Sequence, residues 1–334
     1  MYTIKPSPGK GLGVFATQAI ERNDKIVHEP ALLSQTNAEE LEKGSRFKCL
    51  IDKFDQLDDN KKAQYLSLSH RVVGFDKETY DVLRYFINTT QPRIADDDYQ
   101  KTFQELTRML DVFNTNCAAM VKSNRLEGFG IFPIYSRINH SCIPNARWQY
   151  NYTVNEMEVH AVRDIADNEE ITITYFPYDR SLSTFQDREW DCLLRGFQCD
   201  CEACADPDPD LRDGRRERMC ELMGFFEDYN LGAFINEVEL NPPFGTPEPI
   251  RLALELVKLL ETEGLFGDSL AYACDLLCDF YCVLDQWDEW EKFAIKSNLN
   301  SPNPLSEIAI ASTKDSETAG FNNEATGIAE GSST

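Results

Sequence analysis

The segment that most constrains this chain is Asn139–Asn145, which reads Asn-His-Ser-Cys-Ile-Pro-Asn. It gathers polar side chains, a thiol and a proline between two apolar stretches, residues 128–138 and 156–175. A strand-rich core normally excludes such a cluster, because an unpaired polar group buried there costs about 1–3 kcal/mol. Read alone, the heptapeptide also suits a well-capped turn, with Ser141 and Asn145 as turn formers and Pro144 fixing φ. Both readings stand until the rest of the chain is considered.

The 334 residues can bury a sizeable core and leave room for two domains with appendages. With 33 basic and 57 acidic side chains the formal charge is −24, which disfavours phosphate backbones and anionic lipid and favours cationic ligands such as lysine-rich peptides. Neither direct nucleic-acid binding nor membrane association is expected. Met1–Lys10 is polar and lacks the apolar region of a secretory signal. No uninterrupted apolar run approaches the roughly 20 residues that span a bilayer. Eleven cysteines in such a chain point to a reducing compartment, nucleus or cytoplasm, and to metal ligation or burial rather than disulfides.

Gly9-Lys10-Gly11-Leu12-Gly13-Val14-Phe15-Ala16 reads as a glycine-rich turn feeding a strand, either an ordinary hairpin or a place where a ligand approaches the backbone. It matches neither a phosphate loop nor a dinucleotide fingerprint. Ile26–Glu29 reads as a second strand ended by Pro30. From about Ala38 to Phe113 the pattern turns helical. Asp58 or Asp59 serves as N-cap for Lys61–Ser69, Tyr80–Ile87 forms another helix, and Phe103, Leu106, Leu110 and Phe113 mark a third. Strands return at Gly128–Pro133, Ala146–Asn151, Met157–Ala161 and Glu170–Tyr175. Many short strands with helices inserted between them argue an α+β fold. Phe185–Leu194 is helical, and the acidic, Pro-containing stretch Asp206–Asp213 reads as a linker. Helices follow at Arg215–Tyr229, Ile250–Glu261 and Ser269–Leu284, the first two separated by a Pro/Gly-rich loop at Asn241–Pro249. They predict a helical hairpin or small bundle. The tail, from about 299 to 334, is poor in large apolar residues and is expected to be disordered.

Cys199, Cys201 and Cys204 form a CxCxxC run that packing alone does not explain. Structural zinc takes four tetrahedral ligands, so a fourth must come from elsewhere, with Cys142 and Cys192 as the candidates. Cys274, Cys278 and Cys282 share a helix face with no nearby histidine or further cysteine, and read as packing. The four histidines, at 28, 70, 140 and 160, show neither HxxxH nor HExxH spacing, which argues against a zinc hydrolase. No GxSxG elbow is present.

Five segments occur in a recognisable order: Gly9–Ala16, Gly128–Pro133, Arg137–Asn145, Glu169–Tyr175, and Gly196-Phe197 followed by CxCxxC. In this the chain resembles SET-domain protein lysine methyltransferases, above all the SET-and-MYND type and related fungal SET proteins. The resemblance covers about residues 5–205, with the helical block as the family's insert. The MYND zinc module has no counterpart, because Cys49 stands alone in that block. Implied is a SET fold of short β-sheets with a pseudoknot-like threading and a helical insert, a post-SET zinc site and an α-helical C-terminal domain. The corresponding boundaries are 1–180 for the SET domain (insert about 38–115), 181–205 for the post-SET segment, 206–214 for the linker and 215–298 for the helical domain.

Also implied are two cofactors, S-adenosylmethionine (SAM) and structural Zn2+, and a lysine-containing protein or peptide substrate, histone or otherwise. Carried over, Lys10 faces the SAM carboxylate, with Gly11 and Leu12 beside it. Asn139 and the His140 backbone hold the amino group and adenine edge, and Phe197 stacks on the adenine. Tyr175 is the catalytic tyrosine at the cofactor. Cys142 completes the zinc site with Cys199, Cys201 and Cys204, tying the Asn-His turn to the CxCxxC loop. Two positions depart from the family's pattern. Arg195 stands where relatives carry an aromatic, with Tyr178 or Tyr135 as replacement walls, and Pro8 stands where some carry a basic residue. These departures keep a second reading open, a catalytically weak SET scaffold binding a protein partner through its helical hairpin.

Overall fold

The computed structural model describes residues 1–43, 46–71, 77–90, 95–122, 125–176, 179–206, 208–235 and 246–301. They divide into two compact units. The first holds residues 1–140, 145–173 and 192–197, and the second 141–144, 174–191 and 198 onward.

The first unit opens with strands β1 (Tyr2–Ser7), β2 (Gly11–Ala16), β3 (Lys25–Pro30) and β4 (Leu33–Thr36). A helical block follows: α1 (Asn37–Lys43), α2 (Arg46–Asp55), α3 (Asp59–Leu66), α4 (Lys77–Thr90) and α5 (Asp96–Asn116). Then come β5 (Ala118–Lys122), β6 (Arg125–Ile131), a 3-10 turn at Tyr135–Arg137, β7 (Asn139–His140), β8 (Ala146–Asn151), β9 (Glu156–Ala161) and β10 (Glu170–Ile173). The strands make three small sheets, ordered β1-β2-β10-β7, β3-β9-β8 and β4-β6-β5. In the first, β10 pairs antiparallel with β2 and parallel with β7, so the last strand of the unit is inserted between the opening hairpin and the Asn-His segment.

Local sequence explains most of these elements. Gly9 and Gly11 take φ of +74° and +81°, the left-handed conformation that a side chain resists, and so close the β1–β2 turn. Asp58 caps α3 by accepting the Lys61 backbone N–H at 2.9 Å. Leu83, Ile87, Met109, Leu110 and Phe113 are fully buried and pack the helical block on its own core. The strands β1, β4 and β5 were not expected. Met1–Lys10 reads as polar because Lys5 and two prolines interrupt it, yet its only deep side chain, Ser7, suffices for an edge strand. In contrast to the expected strand Glu170–Tyr175, β10 ends at Ile173.

The second unit contains the first seven residues of α6 (Phe185–Leu194) and the helices α7 (Pro209–Ile235), α8 (Pro247–Glu263), α9 (Asp268–Val283) and α10 (Trp287–Asn300). Each of α7 to α9 packs on its successor, around a core that includes Phe226, Leu256, Leu260, Leu277 and Phe280. Cys274 and Cys278 lie inside this core, Cys278 Sγ against the Trp290 carbonyl at 3.8 Å, as the packing reading expects. Residues 209–213, expected to be linker, form the first turns of α7, since Pro209 has the φ a helix start needs and lacks only a redundant donor. Helix α10, whose sequence carries no strong apolar period, was not anticipated. The expected disordered tail and most of the 241–249 loop lie outside the described residues.

Glu263 at the end of α8 is fully buried among arginines of α7, with Arg212 at 2.8 Å, Arg215 at 2.5 Å and Arg216 at 3.4 Å. Arg216 and Arg188 are themselves without solvent exposure. Burial, and then the Arg188 charge, pull the Arg216 guanidinium down to about 10. It stays charged at neutral pH and needs its carboxylate.

Candidate functional site

Within the first unit, the strand order sets the hairpin tip, β10 and the Asn-His segment side by side. Thr172 of β10 faces Asn139 and Ile173 faces His140, while Ile171 faces Val14 of β2. Asn139 donates through Nδ2 to the Leu12 carbonyl at 3.2 Å and to Glu170 Oε1 at 2.7 Å. Gly13 makes that approach possible. A Cβ there would stand 2.3 Å from Glu170 Oε1, which would force the carboxylate to move, and 3.0 Å from Asn139 Nδ2, a tight contact. At the tip, Gly9 and Gly11 have no atom within 4 Å of the place a Cβ would occupy, so that backbone is open to approach. Lys10 is half-buried beside them.

The polar heptapeptide is reconciled with burial by Asn145. It is 1 % exposed, and its Nδ2 donates to the Glu170 carbonyl at 2.8 Å and to Glu169 Oε1 at 3.0 Å. Its Oδ1 accepts the Thr172 backbone N–H at 2.8 Å. One side chain thus satisfies the start of β10, where a backbone pair would otherwise be missing. Glu29 performs a similar service before the motif: its carboxylate accepts the Ile134 and Tyr135 backbone N–H groups at 2.9 and 2.7 Å. Burial pushes this carboxyl above its usual range, and the two backbone donors only partly offset that.

Phe197 meets His140 edge to face, ring centroids 5.6 Å apart. The helical block braces both segments. Arg137 donates to the Ser67 carbonyl at 2.7 Å, and Arg71 donates to the Leu194 carbonyl while lying over Gly196, where φ is +85° and a Cβ would stand 2.8 Å from the guanidinium arm. Arg195 is exposed, and its backbone N–H donates to the Cys192 carbonyl. Tyr135 is a core residue, edge-on to Trp148 at 5.3 Å. Tyr178 lies outside the described residues.

In the second unit Cys142, Cys199, Cys201 and Cys204 converge, their sulfurs all within 4.8 Å of one another. Cys142 Sγ is 3.9 Å from that of Cys199 and 3.6 Å from that of Cys204. A tetrahedral zinc with Zn–S bonds of about 2.3 Å spaces its sulfurs about 3.8 Å apart, close to the spacing of Cys142 from Cys199 and Cys204. Four thiolates at this spacing repel without a cation. Hydrogen bonding with Cys142 draws Cys201 down to about 5, and the same partner pushes Cys204 up, so the protons are shared unevenly. Of the two candidates for the fourth sulfur, Cys142 stands in this cluster. Cys192 belongs to the first unit, with its carbonyl capping the Arg195–Phe197 turn. The Cys142 carbonyl lies 3.5 Å from the buried Arg216 Nη2, and Ile143 packs on the helical core, which holds the ligand turn. Tyr175 is half-buried, two residues beyond β10.

Glu170, Asn145 and Arg71 were not anticipated as site residues. For Glu170 a signal existed: Ile171 and Ile173 point into the core, so the two-residue strand period turns Glu170 and Thr172 to the opposite face. Arg71 had none, because its partner is 123 residues away.

The SET domain family model matches residues 11–176. Histone-lysine N-methyltransferase set5 of Schizosaccharomyces pombe is 27% identical over 225 residues, 66% of this chain and 56% of that protein. Histone-lysine N-methyltransferase SMYD3 of Homo sapiens is 38% identical over 97 residues, 28% of this chain and 22% of that protein. This chain therefore matches only part of the length of these relatives. Among solved structures, the SET domain of LSMT bound to lysine and AdoHcy aligns with 95% of this chain and 87% of that one, at 13% identity and a TM-score of 0.35. With the family match running from the start of β2 through the Asn-His motif to residue 176, the chain belongs to the SET-domain family.

Proposed function

We propose that this protein is a SAM-dependent protein-lysine N-methyltransferase, with a structural zinc at Cys142, Cys199, Cys201 and Cys204. The observation that carries the reading is the junction of hairpin tip, Asn139 and Phe197-His140 in one unit. It offers the polar groups and the aromatic face that an amino-acid–nucleoside conjugate requires. Lys10 supplies a charge for the cofactor carboxylate, Asn139 and the His140 backbone take the amino group and adenine edge, and Phe197 covers the adenine. When bound, SAM supplies an electrophilic methyl group on a sulfonium.

The receiving lysine must be neutral, although a free lysine has a pKa of about 10.4. A narrow, dry channel disfavours the ammonium, and the Tyr175 hydroxyl orients the freed amine for in-line attack. The net charge of −24 suits a lysine-rich protein substrate. One feature favours a second reading, a SET scaffold of weak activity: Arg195, an exposed cation where the family's pattern carries an aromatic.

Calorimetric titration of the zinc-loaded protein with SAM separates the two. Micromolar binding abolished by Asn139→Ala supports the enzyme, and no binding by a folded, zinc-loaded protein moves the assignment to the scaffold. For Tyr175→Phe, turnover on lysine peptides should fall about 100-fold with SAM affinity nearly unchanged, as expected for a group acting in the transition state. Equal losses in both would make Tyr175 structural.

A further inference from the structure

We infer that Glu170 is a positioning residue that fixes the Asn139 side-chain amide, so that Asn139 Oδ1 is presented as the acceptor for the cofactor's α-ammonium group; this rests on the SAM reading above. An asparagine amide has two donors and one acceptor atom, and the two ends are nearly identical in shape. Which end faces a ligand is therefore decided by the partners of the other. Here both partners accept only: the Leu12 carbonyl at 3.2 Å and the Glu170 carboxylate at 2.7 Å. Rotating the amide by half a turn would set Oδ1 against both oxygens. Glu170 makes that reversal costly, because the repulsion would involve a full negative charge.

With both Nδ2 hydrogens engaged, no described residue donates to Asn139 Oδ1, and the residue is half-buried. Gly13 belongs to the same device. Its missing side chain leaves the space in which the Glu170 carboxylate and the Asn139 amide meet, since a Cβ would overlap the carboxylate at 2.3 Å. The β10–β2 and β10–β7 pairings set the register that brings Glu170 and Asn139 together, with Glu170 opposite Phe15 and Thr172 opposite Asn139. A ligand carrying an ammonium group thus meets a fixed acceptor backed by a carboxylate, whereas a ligand without that group gains nothing from either.

The test compares S-adenosylhomocysteine with its des-amino analogue, which keeps the carboxylate and the nucleoside, on the zinc-loaded full chain by calorimetry. Glu170→Met keeps the length of the side chain and removes the acceptor. It should weaken S-adenosylhomocysteine about tenfold and leave the analogue unchanged, in line with a hydrogen bond to a charged group. Glu170→Gln retains an acceptor oxygen and should keep the ratio of the two affinities within about threefold of wild type. In an Asn139→Ala background, Glu170→Met should change the ratio no further. Should the methionine variant fail to fold, Glu170→Ala carries the same comparison. Equal weakening of both ligands would overturn the inference in favour of a structural role. A loss of ratio that survives in Asn139→Ala would overturn it in favour of direct contact with the ligand. Wild-type protein binding neither ligand instead removes the SAM reading itself.

Discussion

At the scale of single residues, the polar heptapeptide is explained by what each side chain holds. Asn145 closes three hydrogen bonds onto β10 and Glu169 from a buried position. Asn145→Ala leaves the Thr172 N–H and Glu170 carbonyl without their partner, and at about 1 kcal/mol for each lost bond should cost about 3 kcal/mol. Urea denaturation with an unchanged slope measures this, and a loss below about 1 kcal/mol would mean that water replaces the amide. Cys142 is the proposed fourth ligand of the zinc, with neighbouring sulfurs at 3.6 and 3.9 Å. Loss of an outer-shell partner costs up to about 100-fold in metal affinity, so Cys142→Ser should cost at least that. Zinc competition against a chromogenic chelator reads it directly, and unchanged affinity would remove Cys142 from the site.

Elements differed sharply in how legible they were. The amphipathic helices α3, α4 and α5 show a period near 3.6 and, in α3, a capping aspartate, and the structure contains them. β8 and β9 were equally plain, joined through Asn155 at φ +57°. β4, four residues long, owes its pairing to β6, a partner remote in sequence, whereas β5, five residues long, pairs with β6 as the strand that directly follows it. On β9, His160 is buried, and desolvation holds its imidazole below the ordinary 6.5. Contacts with the Asn23 carbonyl and Glu158 work the other way, and the Arg147 charge adds to the lowering. The unfolded chain therefore takes up a proton that the folded chain resists. The stability is fully present above about pH 6.5 and is lost as pH falls through the folded value. His160→Gln should flatten the decline in stability between pH 7 and 5 relative to wild type. Parallel declines in both proteins would assign it to other groups.

On the scale of the whole molecule, each unit has its own core, and each candidate centre draws its paired residues from one unit. The buried Glu263 with Arg212, Arg215 and Arg216 concentrates one anion and three cations in the second unit. Glu263→Gln removes the shared anion from three arginines, and breaking a buried pair in this way costs about 3–5 kcal/mol. Hydrogen exchange should show lost protection in α7 and α8 with β3, β8 and β9 unaffected. A uniform loss throughout would mean that the two units unfold together.

The sequence by itself determined the α+β class, the helical block and helical C-terminal part, the CxCxxC thiol cluster and the family resemblance. These features rest on local periodicity, capping and closely spaced residues, which a linear reading can detect. The resemblance named Cys142 as the fourth thiol, and the structure brings it rather than Cys192 to the other three, whereas only the tertiary structure decided that β10 lies between β2 and β7. It also decided that Glu170 holds Asn139 and that Arg71 lies over Gly196. Such pairings depend on strand register and on contacts across 31 to 123 residues of chain. Hydrophobic burial fixes that register, and no local pattern encodes which distant polar group it will bring within hydrogen-bonding distance.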